Sequence, residues 1–231
     1  MRNLTNIIAA VMAVITLAFI PSLSGFCAIT NWNVETAAAT YVSLVGTPIR
    51  YEGTVIDEDV QSALAGWYAT PEELRNKMKE IGTVIYISDS ATTDTCAVGS
   101  SGNFWKKTNG VYSIKSSYII IRTTDNDEIY ETTLHEIGHV IDRSLTLLSR
   151  QDGTTVSESA EWTEIYNNYA EILADIDTEA SQNMYNCYEA FAETYRLYIE
   201  KPDELLSAAP AAYAFMADLI AEYTSAGQEA A

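Results

Sequence analysis

A chain of 231 residues with 32 acidic against 13 basic side chains carries a formal charge of −19 at pH 7, which argues against nucleic acid and anionic membrane surfaces as partners. With 48% hydrophobic residues, 15 tyrosines and only five prolines, the composition is that of a globular protein able to bury a sizeable core. The acidity permits attraction of basic substrates, although plain solubility outside the cell is the simpler account of it.

Taken in order, the chain opens with Arg2, an apolar run over 7–20 and the small residues that follow Pro21. This is the layout of a secretory signal peptide, and the run is shorter than the about 20 residues that a stable membrane span needs. Residues 1–28 are therefore expected to be a leader and 29–231 one exported domain. Phe26 stands where a lipid anchor on Cys27 would require a small residue. Of the three cysteines, Cys96 and Cys187 form the pair to test for a bridge, and reduced thiols are equally compatible with the sequence.

The mixed stretch 34–45 predicts a short helix ending at Gly46, and 57–66 predicts another. Thr70-Pro71-Glu72-Glu73 reads as a capping box with proline at the first helical position, and the helix it starts should stop at Gly82. Hydrophobic periodicity then changes. TVIYIS at 83–88 predicts a strand, 89–110 a polar loop containing Trp105, and 111–115 and 118–123 a hairpin. Trp105 is read as a loop anchor or a wall for substrate. Helix is expected almost throughout from Asp127. Helices, then strands, then helices indicate an α+β domain and not an alternating parallel sheet.

The chain's only two histidines fall in TTLHEIGHVID at 132–142, as His135-Glu136-x-x-His139. On a helix, residues four apart stand one turn above each other, so both rings can face one ion, with Glu136 beside them as a proton acceptor. Ile137, Val140 and Ile141 fall on the opposite side and would root the helix in a core. Catalytic zinc commonly takes three protein ligands and leaves one position open. No third histidine exists, so a later carboxylate must complete the set. Glu158, Glu161, Glu164, Glu171, Asp175, Glu189 and Glu193 are all placed to do so. Glu189 is preferred, because in MYNCYEAFAETYRLYI at 184–199 helical spacing sets Tyr185, Glu189 and Glu193 on one stripe beside an apolar one of Tyr188, Phe191, Tyr195 and Tyr198. One carboxylate could then bind the ion while its neighbour orients a ligand histidine. Asp142, just past His139, is a second candidate for orienting a ligand.

HEIGHVID with EAFAETYRLY, and SAAPAAYAFMADL near the end, resemble the anthrax lethal factor catalytic-domain family of zinc metallopeptidases, nearest in size to its secreted clostridial Pro-Pro endopeptidase branch. The resemblance implies a mostly helical zincin-like domain with a small sheet packed against the HExxH helix. It implies Zn²⁺ on His135, His139 and Glu189, Glu136 as general base, and Glu193 behind a ligand. The tyrosine that the family places seven residues before the ligand glutamate falls here on Gln182, so Tyr185 is the candidate for steadying the oxyanion. The implied function is a secreted zinc endopeptidase acting on a protein or peptide substrate. The reading from a different class is a secreted binding or adhesion module that retains a structural zinc.

Overall fold

The computed structural model describes residues 41–52, 54–89, 109–113, 117–124, 126–145 and 154–226. The expected leader, Cys27, Cys96 and Trp105 lie outside them. No helix among the described residues is long and apolar enough to cross a membrane.

The histidine-bearing helix α3 (Ile129–Val140) is enclosed on all sides, with Ile129 and every position from 132 to 140 buried. Its apolar residues Leu134, Ile137 and Val140, and Ile141 after them, lie in the main hydrophobic cluster. A π turn (Ile141–Leu145) follows directly. Such turns insert one extra residue per helical turn and recur beside functional sites.

Among the described residues two strands precede the first helix, β1 (Tyr41–Ser43) and β2 (Ile49–Glu52), paired antiparallel. This corrects the helix expected over 34–45, of which 34–40 lie outside the described residues. The glycine expected to end that helix instead turns a hairpin. Gly46 has φ 83°, a conformation that costs glycine little, and Thr47 Oγ1 donates to the Leu44 carbonyl at 2.9 Å.

Helix α1 (Asp57–Ala69) begins with Asp57, Glu58 and Asp59, acidic groups that complement the positive end of the helix. Helix α2 (Glu72–Glu80) ends beside Gly82 at φ 78°, as expected. Its start differs from the expected capping box. Pro71 occupies the cap position and no side chain caps the helix, because the Thr70 hydroxyl donates to the Gly66 carbonyl and accepts from Tyr195. Thr70 thus ties α1 to a helix far along the chain.

Strands β3 (Val84–Ser88), β4 (Gly110–Ser113) and β5 (Tyr118–Arg122) complete a five-stranded sheet of order β1-β2-β3-β5-β4. The β4–β5 hairpin has the expected antiparallel pairing, but β2–β3 and β3–β5 are parallel, so the sheet is mixed. Alternation sends Ile85, Ile87, Ile119 and Ile121 into the helical core. On the other face Tyr86 and Tyr118 meet edge to face at 5.7 Å.

The remaining helices are α4 (Ala160–Ala174), α5 (Thr178–Asn183), α6 (Cys187–Glu200), α7 (Pro202–Ala208) and α8 (Pro210–Ala226). Buried Trp162 of α4 stacks at 5.3 Å from both Phe191 of α6 and Phe215 of α8. Helix α6 lies directly against α3. A Cβ on Gly138 would stand 2.7 Å from Ala192 Cα and 2.8 Å from its carbonyl oxygen. Gly138→Ala is therefore expected to separate the two helices at a cost of about 1–3 kcal/mol, lowering Tm by roughly 5 °C in calorimetry. An unchanged Tm would show that the interface is looser than this packing.

Candidate metal centre

His135 and His139 rise one turn apart on α3 with their rings nearly perpendicular, centroids 4.9 Å apart. The facing carboxylate comes from the first turn of α6. The Asn186 side chain caps that helix by accepting from the Tyr188 and Glu189 backbone N–H groups at 2.9 and 3.0 Å, which fixes the main chain at Glu189 itself. Glu189 Oε2 lies 3.1 Å from His135 Nε2 and 3.2 Å from His139 Nε2. One ligand atom from each of the three lies within 4.8 Å of the others, the only such histidine, cysteine and carboxylate group found among the described residues.

One turn further along α6, Glu193 Oε2 stands 2.8 Å from His135 Nδ1. That contact commits Nδ1 to the protein and leaves Nε2 facing the centre. His139 Nδ1 has no hydrogen-bond partner among the described residues. Asp142, expected to orient a ligand, is fully buried but turned elsewhere: its two oxygens accept from the Ser157 N–H at 2.7 Å and the Ser157 hydroxyl at 2.6 Å. It therefore secures the 3₁₀ turn (Val156–Glu158).

The electrostatics favour a cation. Burial alone would push His135 down, but hydrogen bonds to Glu189 and Glu193 carry its pKa well above the usual histidine value. Burial likewise opposes ionisation of Glu189, yet the neighbouring His139 and His135 hold it far below the ordinary carboxylate range. Glu136 is buried, its pKa raised first by that burial, and its Oε2 makes no hydrogen bond among the described residues. Two imidazole nitrogens and a carboxylate oxygen are the donor set that catalytic zinc takes, and a second, unpaired carboxylate beside them fits the open position of such a site. The residues present thus fit zinc.

Edge strand β4 borders the centre. A Cβ at Gly110 would lie 2.6 Å from Glu136 Oε1, so only glycine admits the carboxylate there.

Tyr185 is not on the helical stripe expected for it, because the Asn186 cap starts α6 after it. The residue is 68% exposed. Partial burial, then the charge of Glu189 and that of Glu136, raise its phenol pKa. Glu158, another candidate ligand, instead closes a capping box with Thr155 and accepts from the Tyr188 hydroxyl at 3.1 Å. Cys187 carries a free thiol; Cys96, its expected partner, lies outside the described residues.

The sequence reading missed Asn186, Asn183, Gly110 and Arg196. Asn186 was detectable, since Asn-x-x-Glu at 186–189 is a helix-start signature. Arg196, three residues from Glu193 and four from Glu200, had the spacing of helical ion pairs. Nothing in the local sequence marks Gly110.

A histidine pair on a buried helix, facing a carboxylate from a later helix packed directly against it and bordered by a small sheet, defines a zincin-like domain. Residues 44–219 match the family described as anthrax toxin lethal factor, N- and C-terminal domain, and the chain belongs to that family. Among solved structures, the Pro-Pro endopeptidase from Paenibacillus alvei superposes with a TM-score of 0.53 at 19% identity, covering 74% of this chain and 94% of that one. No curated protein matches the chain. Family and structural neighbour indicate a metallo-endopeptidase kind of function.

Purified Glu189→Ala is expected to lose most of its zinc in elemental analysis, while Glu171→Ala keeps it. The reverse result would reassign the third ligand.

Proposed function

We propose that this protein is a secreted zinc-dependent endopeptidase that hydrolyses peptide bonds in extracellular or host proteins. The observation that carries this reading is the buried Glu136 carboxylate, its Oε2 unpaired, beside the cluster of His135, His139 and Glu189. A purely structural zinc site has no use for a free base next to an open position. Export rests on the leader pattern of residues 1–28.

His135, His139 and Glu189 would hold the zinc, which when bound supplies Lewis-acid chemistry, lowering the pKa of water and polarising a carbonyl. Glu136, its pKa raised by burial, is suited to accept a proton from the attacking water and return it to the leaving amine. Tyr185, whose phenol is influenced by the charges of Glu189 and Glu136, would donate to the developing oxyanion. Strand β4, at the sheet edge and against Glu136, offers main-chain groups to an extended peptide. The name of the Paenibacillus neighbour points to proline-flanked sites and the charge of −19 to basic ones. A peptide-library digest separates these.

Glu136→Ala is expected to keep the wild-type zinc content and lose at least about 100-fold in peptide cleavage. Chelator should abolish wild-type cleavage, and added zinc should restore it. Equal cleavage by wild type and Glu136→Ala would remove the peptidase reading; zinc-loaded wild type that binds peptides uncut would establish a binding module instead. Gly110→Ala, by displacing the same carboxylate, should lower kcat by about tenfold or more with zinc retained. A wild-type kcat would show that β4 does not constrain Glu136.

A further inference from the structure

Behind His135 lies an ion-pair node to which no part of the proposed chemistry assigns a role. Arg196 of α6 is 1% exposed. Its Nε and an Nη approach Glu193 Oε1 at 2.7 and 2.6 Å. The same Nη reaches both Asp177 oxygens at 3.0 and 2.9 Å, the other Nη pairs with Glu200, and Glu179 Oε2 is 3.7 Å from Nε. The second oxygen of Glu193 is held separately: Asn183 Nδ2 donates to it at 3.1 Å, and His135 Nδ1 stands 2.8 Å away. Glu193 therefore cannot rotate without breaking contacts at both oxygens.

The node also reaches the turn before α6. Asp177, besides binding Arg196, caps α5 by accepting from the Ala180 N–H at 2.7 Å and takes Lys201 Nζ at 2.6 Å. Asn183 ends the same short helix, and residues 184–186, with Tyr185, connect it to α6. A planar guanidinium can grip several carboxylates at fixed angles in a way an ammonium cannot.

We propose that Arg196 is a positioning residue for the metal centre: acting through Glu193 it fixes the orientation and tautomer of His135, and acting through Asp177 it holds the α5–α6 turn that carries Tyr185. This rests on the zinc-site reading above, although not on peptide cleavage.

The test compares wild type, Arg196→Lys, Glu193→Gln and the double variant. Zinc affinity is measured by competition with a chelator, and the ring ¹⁵N–¹H spectrum is recorded with and without zinc. Because the chain has two histidines, the spectrum contains two rings. Each single variant is expected to weaken zinc binding about tenfold or more. The double variant should bind no more weakly than the worse single one, since both act on one contact. The His135 Nδ1–H signal should shift or broaden in both single variants while the His139 ring is unmoved.

Additive losses overturn the proposal. So does an Arg196→Lys protein with lowered Tm but wild-type zinc affinity and His135 signal, which is what a merely structural role predicts. If Arg196→Lys does not fold, Asn183→Ala, which removes the donor to the other Glu193 oxygen, takes its place with the same expected non-additivity and the same overturning result. A wild type that shows this coupling yet cuts no peptide would sink the endopeptidase reading and leave the positioning role standing.

Discussion

The close approach of α3 and α6, backbone against backbone where Gly138 meets Ala192, is the constraint on which the rest of the structure depends. Both helices contribute short polar side chains to one point, and those side chains meet only if the helix axes are near. Glu189 spans the gap to two imidazoles at 3.1 and 3.2 Å. Glu193, one turn deeper, spans it again behind His135. Any residue larger than glycine at position 138 works against both contacts at once.

Burying this many ionisable groups is unfavourable unless each finds a partner. The molecule meets that demand in layers. Arg196 and Asn183 occupy the two oxygens of Glu193, Glu193 occupies His135 Nδ1, and Asp177 links Arg196 to the cap of α5. Beside the cluster, Glu136 Oε2 stays unpaired, while the Nε2 atoms of the two histidines share Glu189. Polar capacity is thus used up behind His135, whereas a carboxylate oxygen beside the cluster is left open.

Much of the fold was readable where one local rule acts alone. Short runs rich in isoleucine and tyrosine marked β3 and β5, Gly82 marked the end of α2, and the two histidines four residues apart marked α3. Readings failed where distant partners overruled local preference. Thr70 has a capping residue's sequence context, but its hydroxyl is engaged by Gly66 and Tyr195. The residues around 41–43 pair with β2 and so form a strand, not the end of a helix. Helical periodicity put Tyr185 on the stripe of Glu189, whereas the Asn186 cap breaks the helix between them and leaves the tyrosine exposed.

The sequence by itself determined the chemistry on offer: two imidazoles at one-turn spacing, a carboxylate between them, and two further carboxylates one turn apart on a later helix. It also determined the family, because those groups recur in a particular local context. Only the tertiary structure decided which acid of several faces the histidines, that Asp142 serves Ser157, and that Gly110 gives Glu136 its space. The physical reason is that helical spacing fixes which side chains share a face, whereas distances between elements far apart in the chain follow from packing that no local pattern encodes.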